Sequence, residues 1–218
     1  MNNVPDAIYS VLRTLLRPIV KIIWIKEISG LENIPKKGSA VLAINHQSYF
    51  DFFCLAVVSP RNIHFLAAEK FFNHWLWGIL MKVTRQVRVD RNTHDKHEMH
   101  NLVHAHIDRG SLVGIFPEGT RSPYEHTMLK AFSGIAKYAL HKKIPIIPVG
   151  IKGTFHVMSK TDHRPKLLKI VLIHVGPPIH YKEYYTRSEY SEMDYRVITH
   201  SVMKKISVLS GKNYDHDL

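Results

Sequence analysis

Short apolar runs alternate along the chain with longer segments in which apolar residues recur at helical spacing. The short runs have the composition of buried strands and cover residues 40–44, 63–67, 87–89, 111–115, 145–151 and 169–175. Helices are predicted between or after them, over residues 52–58, 94–109, 128–142 and 187–209. Strands that alternate with helices predict one α/β domain with a central, largely parallel mixed sheet flanked by helices. Pro148 is expected at the edge or end of its strand, because proline cannot donate a ladder hydrogen bond.

The N-terminal residues carry a strong helical periodicity over positions 4–25. Their apolar side chains share one face, and basic side chains recur on the opposite face. These basic residues are Arg13, Arg17 and Lys21. Such a helix is typical of a membrane interface, although an ordinary amphipathic helix packed on the domain is the alternative. Pro18 predicts a kink or two short helices. We therefore expect a membrane-docking helical segment, residues 1–27, followed by one domain, residues 28–218.

A second apolar segment, residues 71–83, contains Trp75 and Trp77 and fits either core packing or membrane contact. No charge-free apolar run reaches the ~18 residues that a membrane-spanning helix needs. The start of the chain lacks a signal peptide with a small-residue cleavage site. The pattern therefore favours a peripheral membrane contact over a membrane span.

Composition adds a charge argument. The chain has 30 Lys and Arg against 18 Asp and Glu, a net charge of +12, which favours an anionic partner such as a lipid surface, a phosphorylated substrate or a nucleic acid. No helix-turn-helix, ribonucleoprotein or zinc-finger pattern supports a nucleic acid. Cys54 is the single cysteine and cannot form an intramolecular disulfide, which is consistent with a reducing compartment.

The chemistry is predicted around His46 and Asp51. His46 follows the apolar run 40–44, and Asp51 falls in the first turn of the next helix. That turn brings a carboxylate within reach of an imidazole, which fixes the tautomer of the ring and leaves its other nitrogen free as a base. Open α/β sheets also place their sites at the carboxyl ends of strands.

A second motif, Phe116-Pro117-Glu118-Gly119-Thr120-Arg121-Ser122, follows the run 111–115. With His-x4-Asp about 70 residues upstream, it makes the chain resemble glycerolipid acyltransferases of the 1-acylglycerol-3-phosphate O-acyltransferase (lysophosphatidic acid acyltransferase) type. Two weaker blocks agree, Val87-Arg88-Val89-Asp90-Arg91 and Ile146-Ile147-Pro148-Val149, and the resemblance covers about residues 28 to 180.

The resemblance implies transfer of a fatty acyl group from a thioester, acyl-CoA or acyl-carrier protein, to the free hydroxyl of 1-acylglycerol-3-phosphate, which makes phosphatidic acid. His46 would be the general base and Asp51 would orient it. Ser48 is not expected to act as a nucleophile, because there is no Gly-x-Ser-x-Gly elbow. No cofactor and no metal are expected. The resemblance assigns acceptor binding to Lys70, Arg91, Glu118, Gly119, Thr120 and Arg121.

Several alternatives stay open on the sequence. Thr84-Arg85-Gln86 stands where the family usually has a glycine, which puts the local turn in doubt. Glu118 and Arg121 could form a structural ion pair instead of binding the acceptor. The acceptor could be another lysolipid, or the chain could be a basic membrane-binding protein without catalysis. The expected location is the cytoplasmic face of a membrane, as a peripheral protein.

A histidine stripe allows one further reading. His94, His97, His100 and His104 recur along the predicted helix 94–109, opposite Met99, Leu102 and Val103. Their spacing approaches that of metal ligands. We favour a solvated helix face, because a metal needs converging ligands and a second shell.

Overall fold

A computed structural model describes residues 4–90, 93 and 95–218, and within them seven strands form one sheet in the order β1-β7-β6-β2-β5-β3-β4. The strands are β1 (Ile25–Ser29), β2 (Ala40–Ile44), β3 (Ile63–Ala68), β4 (Val87–Val89), β5 (Leu112–Ile115), β6 (Ile146–Lys152) and β7 (Val171–Val175). Five neighbouring strands, from β6 to β4, run parallel. β7 is antiparallel to β6 and parallel to β1. The predicted fold class, a largely parallel mixed sheet, is confirmed.

Helices cover both faces of this sheet. They are α1 (Val4–Ile23), α2 (Tyr49–Val58), α3 (Glu69–Phe72), α4 (Trp75–Val83), α5 (His97–Asp108), α6 (Gly134–Lys142), α7 (Thr154–Val157) and α8 (Glu192–Ser210). Successive side chains of a strand point to opposite faces. In β2, Leu42 and Ile44 therefore pack in the core beneath α2, whereas Val41 and Ala43 pack in the core shared with α5, α6 and α8.

The structure corrects three expectations about element bounds. β1 was not predicted, and it occupies residues 25–29, across the boundary drawn between residues 27 and 28. Residues 128–133 are not helical: the backbone N–H of Met128 bonds the carbonyl of Asn213, and α6 begins only at Gly134. The C-terminal helix begins at Glu192 and not at residue 187, after a capping box between Ser191 and Asp194.

Pro148 lies inside β6, between β2 and β7, and not at the edge or end of its strand. Its carbonyl accepts from the N–H of Gly176, so its nitrogen faces the same side of the strand. β7 has already ended there, at Val175. The missing N–H therefore falls opposite Gly176, just beyond the paired residues of β6 and β7.

The helix α1 is continuous through Pro18, which excludes the two short helices. Most of its apolar side chains face solvent, and two of its three basic side chains face the protein. Arg13 and Arg17 lie inward, where their guanidinium groups donate to the carbonyls of Ser59 and Val58 at the end of α2. These carbonyls are among the last in α2 and lack helical partners, so cations stabilise them. Both arginines therefore belong to the packed side of α1, and Lys21 alone of the three basic residues is exposed.

The apolar side chains of α1 lie in solvent instead. Leu15 is 66% exposed and Ile22 is 70% exposed. Beside this helix α4 leaves Trp75 78% exposed, so core packing is wrong for this tryptophan. We call the exposed apolar side chains of both helices the outer apolar face; they are Val4, Ile8, Val11, Leu15, Leu16, Ile19, Ile22, Trp75, Leu76, Trp77 and Ile79. Across the described residues, no helix is long and apolar enough to cross a membrane.

Candidate active site

The turn between β2 and α2 presents His46 beside the sheet. Asn45 fixes the end of β2 to β6 through two hydrogen bonds with the backbone of Ile151, at 2.8 and 2.7 Å. Ser48 then caps α2, and its side chain accepts from the N–H of Phe50 at 3.0 Å. Both ends of this turn are therefore bonded to regular elements, which positions His46 relative to β2 and α2.

Asp51 is fully buried and bonds the imidazole of His46. Its Oδ2 lies 3.0 Å from Nδ1 of His46 and also accepts from the N–H groups of Gln47 and Ser48, at 2.6 and 2.8 Å. Its Oδ1 accepts from the hydroxyl of Thr154 at the start of α7. A carboxylate held by four donors keeps Nδ1 protonated and leaves Nε2 as the basic nitrogen.

The sequence reasoning missed Thr154. This residue is 103 positions from Asp51 and reaches it only because β6 delivers α7 to the same end of the sheet. No local pattern marks it, since a threonine after a glycine is common in loops. The single usable signal is its place directly after a predicted strand.

The two motifs meet at His46. Its ring stacks on Phe116 with 4.0 Å between ring centroids, and its side chain is 14% exposed. Its backbone N–H donates to Oε1 of Glu118 at 2.7 Å, and its carbonyl accepts from the N–H of Ser122 at 2.7 Å. The loop after β5 is therefore bonded to the backbone of the residue that carries the base.

Glu118 anchors this loop and does not pair with Arg121. It is buried, and its second oxygen accepts from the N–H of Leu129 at 2.7 Å. Burial raises the pKa of its carboxyl to about 7, although the two backbone hydrogen bonds lower it. The structural ion pair considered from the sequence is thus replaced by carboxylate–backbone bonds. We call His46, Asp51 and Glu118 the reaction centre.

Beside the reaction centre, two cations converge on one aromatic ring. The guanidinium of Arg121 lies 3.7 Å from the ring centroid of Tyr49, and Nζ of Lys70 lies 5.5 Å from the same centroid. Nη1 of Arg121 is buried and has no hydrogen-bond partner. A guanidinium with an unused donor beside an ammonium is suited to bind a phosphate. We call Tyr49, Lys70 and Arg121 the anion corner; sequence reasoning missed Tyr49, although it lies inside the first motif.

The remaining predicted acceptor residues lie around this corner or outside the described part of the chain. Gly119 has a φ of +66°, a conformation that glycine adopts without strain, and it is exposed. Thr120 is half-buried between Gly119 and Arg121. Arg91 lies outside the described residues. Nearby, Arg88 pairs with Glu69 at the surface.

Ser48 has a structural position. Its hydroxyl donates to the carbonyl of Met158 at 2.6 Å while it caps α2, and the residue is fully buried. An oxygen with both roles filled is not free to attack a carbonyl carbon. This agrees with the expectation that Ser48 is not a nucleophile.

The histidine stripe stays largely open to solvent, as expected, since His97 and His100 are exposed and His104 is half-buried; its inner edge contacts α6. His100 bonds the hydroxyl of Tyr138 at 2.6 Å, and the ring of His104 contacts the same tyrosine edge-on. Leu102, expected on the packed face, is 39% exposed. His94 lies outside the described residues. Among the residues that the structure does describe, no three histidine, cysteine or acidic side chains come together as a metal site would require.

Comparison with known proteins places this site in a family context. A sequence model of the family described as Acyltransferase matches residues 26–152. A 1-acyl-sn-glycerol-3-phosphate acyltransferase of Bacillus subtilis is 28% identical over 155 residues, which cover 70% of this chain and 73% of that protein. A protein of the same name from Saccharomyces cerevisiae is 30% identical over 156 residues, which cover 69% of this chain and 48% of the yeast protein.

A solved structure has the same fold. The crystal structure of the 1-acyl-sn-glycerophosphate (LPA) acyltransferase from Thermotoga maritima matches with a TM-score of 0.69 at 20% sequence identity. The match covers 97% of this chain and 80% of that chain. At this identity the likeness concerns the fold, including the N-terminal helix and the C-terminal region beyond residue 152.

Proposed function

The chain belongs to the acyltransferase family, and on this premise we propose that it transfers a fatty acyl group from an acyl thioester, acyl-CoA or acyl-carrier protein, to the free hydroxyl of 1-acylglycerol-3-phosphate. The product is phosphatidic acid. The observation that carries the proposal is a half-buried imidazole oriented by the buried Asp51 beside an arginine with an unused donor. The names of the Bacillus and yeast relatives support the choice of acceptor.

His46 acts as the general base in this reaction. Its Nε2 takes the proton from the acceptor hydroxyl while the hydroxyl oxygen forms a bond to the thioester carbonyl carbon. The tetrahedral intermediate then collapses, the carbon–sulfur bond breaks, and the imidazolium returns its proton to the leaving thiolate. Asp51 stabilises the imidazolium that forms between these steps. A thioester is already activated, so no covalent serine or cysteine intermediate is needed.

The anion corner holds the acceptor phosphate. Lys70 and Arg121 supply two positive charges, and both contact the ring of Tyr49. A phosphate bound there brings the free glycerol hydroxyl toward His46, because Ser122, the residue after Arg121, donates its N–H to the carbonyl of His46 at 2.7 Å. Binding energy at the phosphate thereby fixes the position of the reacting hydroxyl.

The acceptor reaches this site from a membrane surface on which α1 and α4 dock. A lysophospholipid lives in that surface, and the outer apolar face has no protein partner within the described residues. Exposed patches of this kind mark protein or membrane interaction sites. Because Arg13 and Arg17 lie inward, docking depends mainly on apolar burial, with a smaller electrostatic part from exposed basic residues such as Lys21.

The acceptor is tested by mass spectrometry of lipids formed by the purified protein. The protein is offered acyl-CoA or acyl-carrier protein together with an equimolar mixture of lysophosphatidic acid, other lysophospholipids and monoacylglycerol. Phosphatidic acid is the expected main product. A dominant product from another lysolipid would change the acceptor and keep the chemistry, whereas no acylated product with either donor would favour a non-catalytic membrane-binding protein.

Membrane docking through the outer apolar face is tested by substitution and not by deletion. Removing α1 would also remove the hydrogen bond from the Tyr9 hydroxyl to the carbonyl of Ile63 and the arginine contacts to α2, which stabilise the domain. A triple variant should strongly reduce flotation with liposomes and leave the thermal unfolding midpoint nearly unchanged; it combines Leu15→Ser, Ile19→Ser and Ile22→Ser. The control is Val208→Ser, an apolar residue 83% exposed on α8. Equal flotation of the triple variant and the control would contradict docking through α1.

A further inference from the structure

The C-terminal residues after α8 return beneath the reaction centre. The chain reverses at Gly211, where φ is +64°, and then runs beside residues 126–128. The N–H of Asn213 donates to the carbonyl of His126 at 2.8 Å, and the carbonyl of Asn213 accepts from Met128 at 2.9 Å. This tail lies outside residues 26–152, the range that the family model matches.

Within this tail Lys212 is buried, with 5% of its surface exposed. Its Nζ donates to the carbonyl of Glu125 at 2.6 Å. The same carbonyl accepts from Nε2 of Gln47, the residue after His46, at 2.7 Å. Lys212 and the His46 turn therefore meet on one carbonyl of the loop that follows Glu118.

A buried ammonium group needs compensation, because removing a charge from water is costly. One carbonyl bond supplies part of it. The rest comes from the acidic groups that act on Lys212, which are Asp51, Glu118 and the more exposed Glu125, against the like charge of Lys152. Two of these carboxylates belong to the reaction centre. The compensation works in both directions at Glu118, since the cation also stabilises the charged form of this carboxylate.

We propose that Lys212 is a positioning residue for acyl transfer: its buried ammonium group ties the Glu118 loop to the His46 turn and favours the charged form of the Glu118 carboxylate. The inference rests on the proposed function. A charged Glu118 accepts the N–H groups of His46 and Leu129 more strongly than a protonated one. Lys212 thus acts on the base through Glu118 and one shared carbonyl, without contact to substrate.

The electrostatic effect has a defined direction. The pKa of Glu118 is raised by burial to about 7, and Lys212 lowers it from what burial and the neighbouring Asp51 would produce. Removal of the cation therefore raises this pKa further. A rise of about one unit would reduce the charged fraction of Glu118 at pH 7 from about one half to about one tenth.

The experiment compares Lys212→Met, Lys212→Gln and Lys212→Arg with a matched control, Lys204→Met. Lys204 is exposed and donates to the carbonyl of Tyr214 at 2.7 Å, so the control removes a lysine–carbonyl bond from the same tail without removing charge from the reaction centre. Lys212→Gln keeps a donor for Glu125 and removes the charge. It therefore provides an informative variant if Lys212→Met folds poorly. Thermal unfolding and kcat/KM between pH 5.5 and 9.5 are measured for each protein.

Both neutral variants should lower kcat/KM about fivefold at pH 7. The acid limb of the profile of kcat/KM against pH should shift upward by about one pH unit, and kcat/KM should recover toward pH 9. Lys212→Arg should restore the wild-type limb, and Lys204→Met should leave it in place. An unshifted limb in Lys212→Gln would overturn the inference while the wild-type activity still stands.

A second readout does not require turnover. The ¹³C carboxyl resonance that disappears in Glu118→Gln is assigned to Glu118 and titrated in the wild type and in Lys212→Gln. A higher midpoint in the variant supports the inference, and an equal midpoint overturns it. If the wild type acylates no acceptor, the proposed function fails, and this titration still decides whether Lys212 stabilises the charged carboxylate.

Discussion

The reaction centre and the anion corner lie side by side, yet their polar atoms differ in how fully they are satisfied. Asp51 accepts from four donors and Glu118 from two, all within the protein. In the anion corner, Nη1 of Arg121 is buried without a hydrogen-bond partner, and Lys70 contacts the aromatic rings of Tyr49 and Phe71. One region is complete in the folded chain, and the other is left with a donor that a ligand can use.

This difference separates two functions. A saturated network fixes the geometry of a base before substrate arrives, which lowers the barrier of the chemical step. An unsatisfied buried donor is unfavourable in the free protein and becomes favourable when an acceptor oxygen binds. We therefore expect the reaction centre to determine kcat and the anion corner to determine KM for the phosphorylated acceptor.

The largest effect is expected for His46→Ala. Loss of the general base should lower kcat by about 10²–10⁴-fold, while KM for the acceptor changes little. Steady-state kinetics with lysophosphatidic acid measure both. His126→Ala, at a histidine whose side chain is 78% exposed on the neighbouring loop, is the control. A well-folded His46→Ala protein with more than a tenth of the wild-type kcat would exclude His46 as the base.

Arg121→Ala should act on the other region. A hydrogen bond to a charged group contributes about 1.5–3 kcal/mol, so KM for lysophosphatidic acid should rise about 10–150-fold. The KM for the acyl donor should stay within about twofold of the wild type. Arg187→Ala, which removes an arginine paired with Asp194 at the surface, is the control. A change confined to the donor would remove Arg121 from the acceptor site.

A smaller effect is expected at Thr154, which supports the carboxylate behind the base. Thr154→Val removes the hydroxyl bonded to Asp51 and should lower kcat about 3–10-fold through the orientation of the imidazole. Thr199→Val is the matched control, because Thr199 is equally buried and its hydroxyl has no hydrogen-bond partner. Equal kcat values for the two variants would mean that Thr154 does not orient Asp51.

A separate effect concerns stability and not turnover. The pKa of Glu118 is about 7 in the folded protein and has an ordinary value of 4.5, so between these values the folded state holds a proton that the unfolded state has released. The contribution of this group to the free energy of unfolding therefore falls as the pH rises from about 5 to 7, by at most ~1.4 kcal/mol per pH unit.

Denaturant unfolding of Glu118→Gln tests this direction. The variant lacks the titrating group, so its stability relative to the wild type should increase between pH 5 and 7 and then become constant. Glu98→Gln, at an exposed glutamate, should show no such trend. A relative stability that decreases over this range would contradict the raised pKa.

The same contrast explains what the sequence could predict. His46, Asp51 and the elements around them follow from local rules, because a strand, a capped turn and a helix lie within about 20 residues of each other. Their partners do not: Thr154 and Lys212 reach the centre through the topology of β6 and the return of the tail after α8.

The outward turn of α1 was beyond prediction for a related reason. Its periodicity identifies an apolar face and a basic face but not which one contacts the protein. The carbonyls of Val58 and Ser59, which bind its arginines, end a helix about 40 residues away. Pro148 is a similar case, since its place inside the sheet is acceptable only because β7 ends beside it.

One comparison tests the separation of the two regions most directly. The wild type, His46→Ala and Arg121→Ala are each assayed with lysophosphatidic acid and with 1-monoacylglycerol, which keeps the free 2-hydroxyl and has a hydroxyl in place of the phosphate. We predict that His46→Ala lowers kcat for both acceptors, whereas Arg121→Ala raises KM for lysophosphatidic acid and leaves the slow reaction with monoacylglycerol unchanged. If Arg121→Ala impairs both acceptors equally, or if His46→Ala retains turnover with either one, the assignment of chemistry to His46 and of phosphate recognition to Arg121 is contradicted.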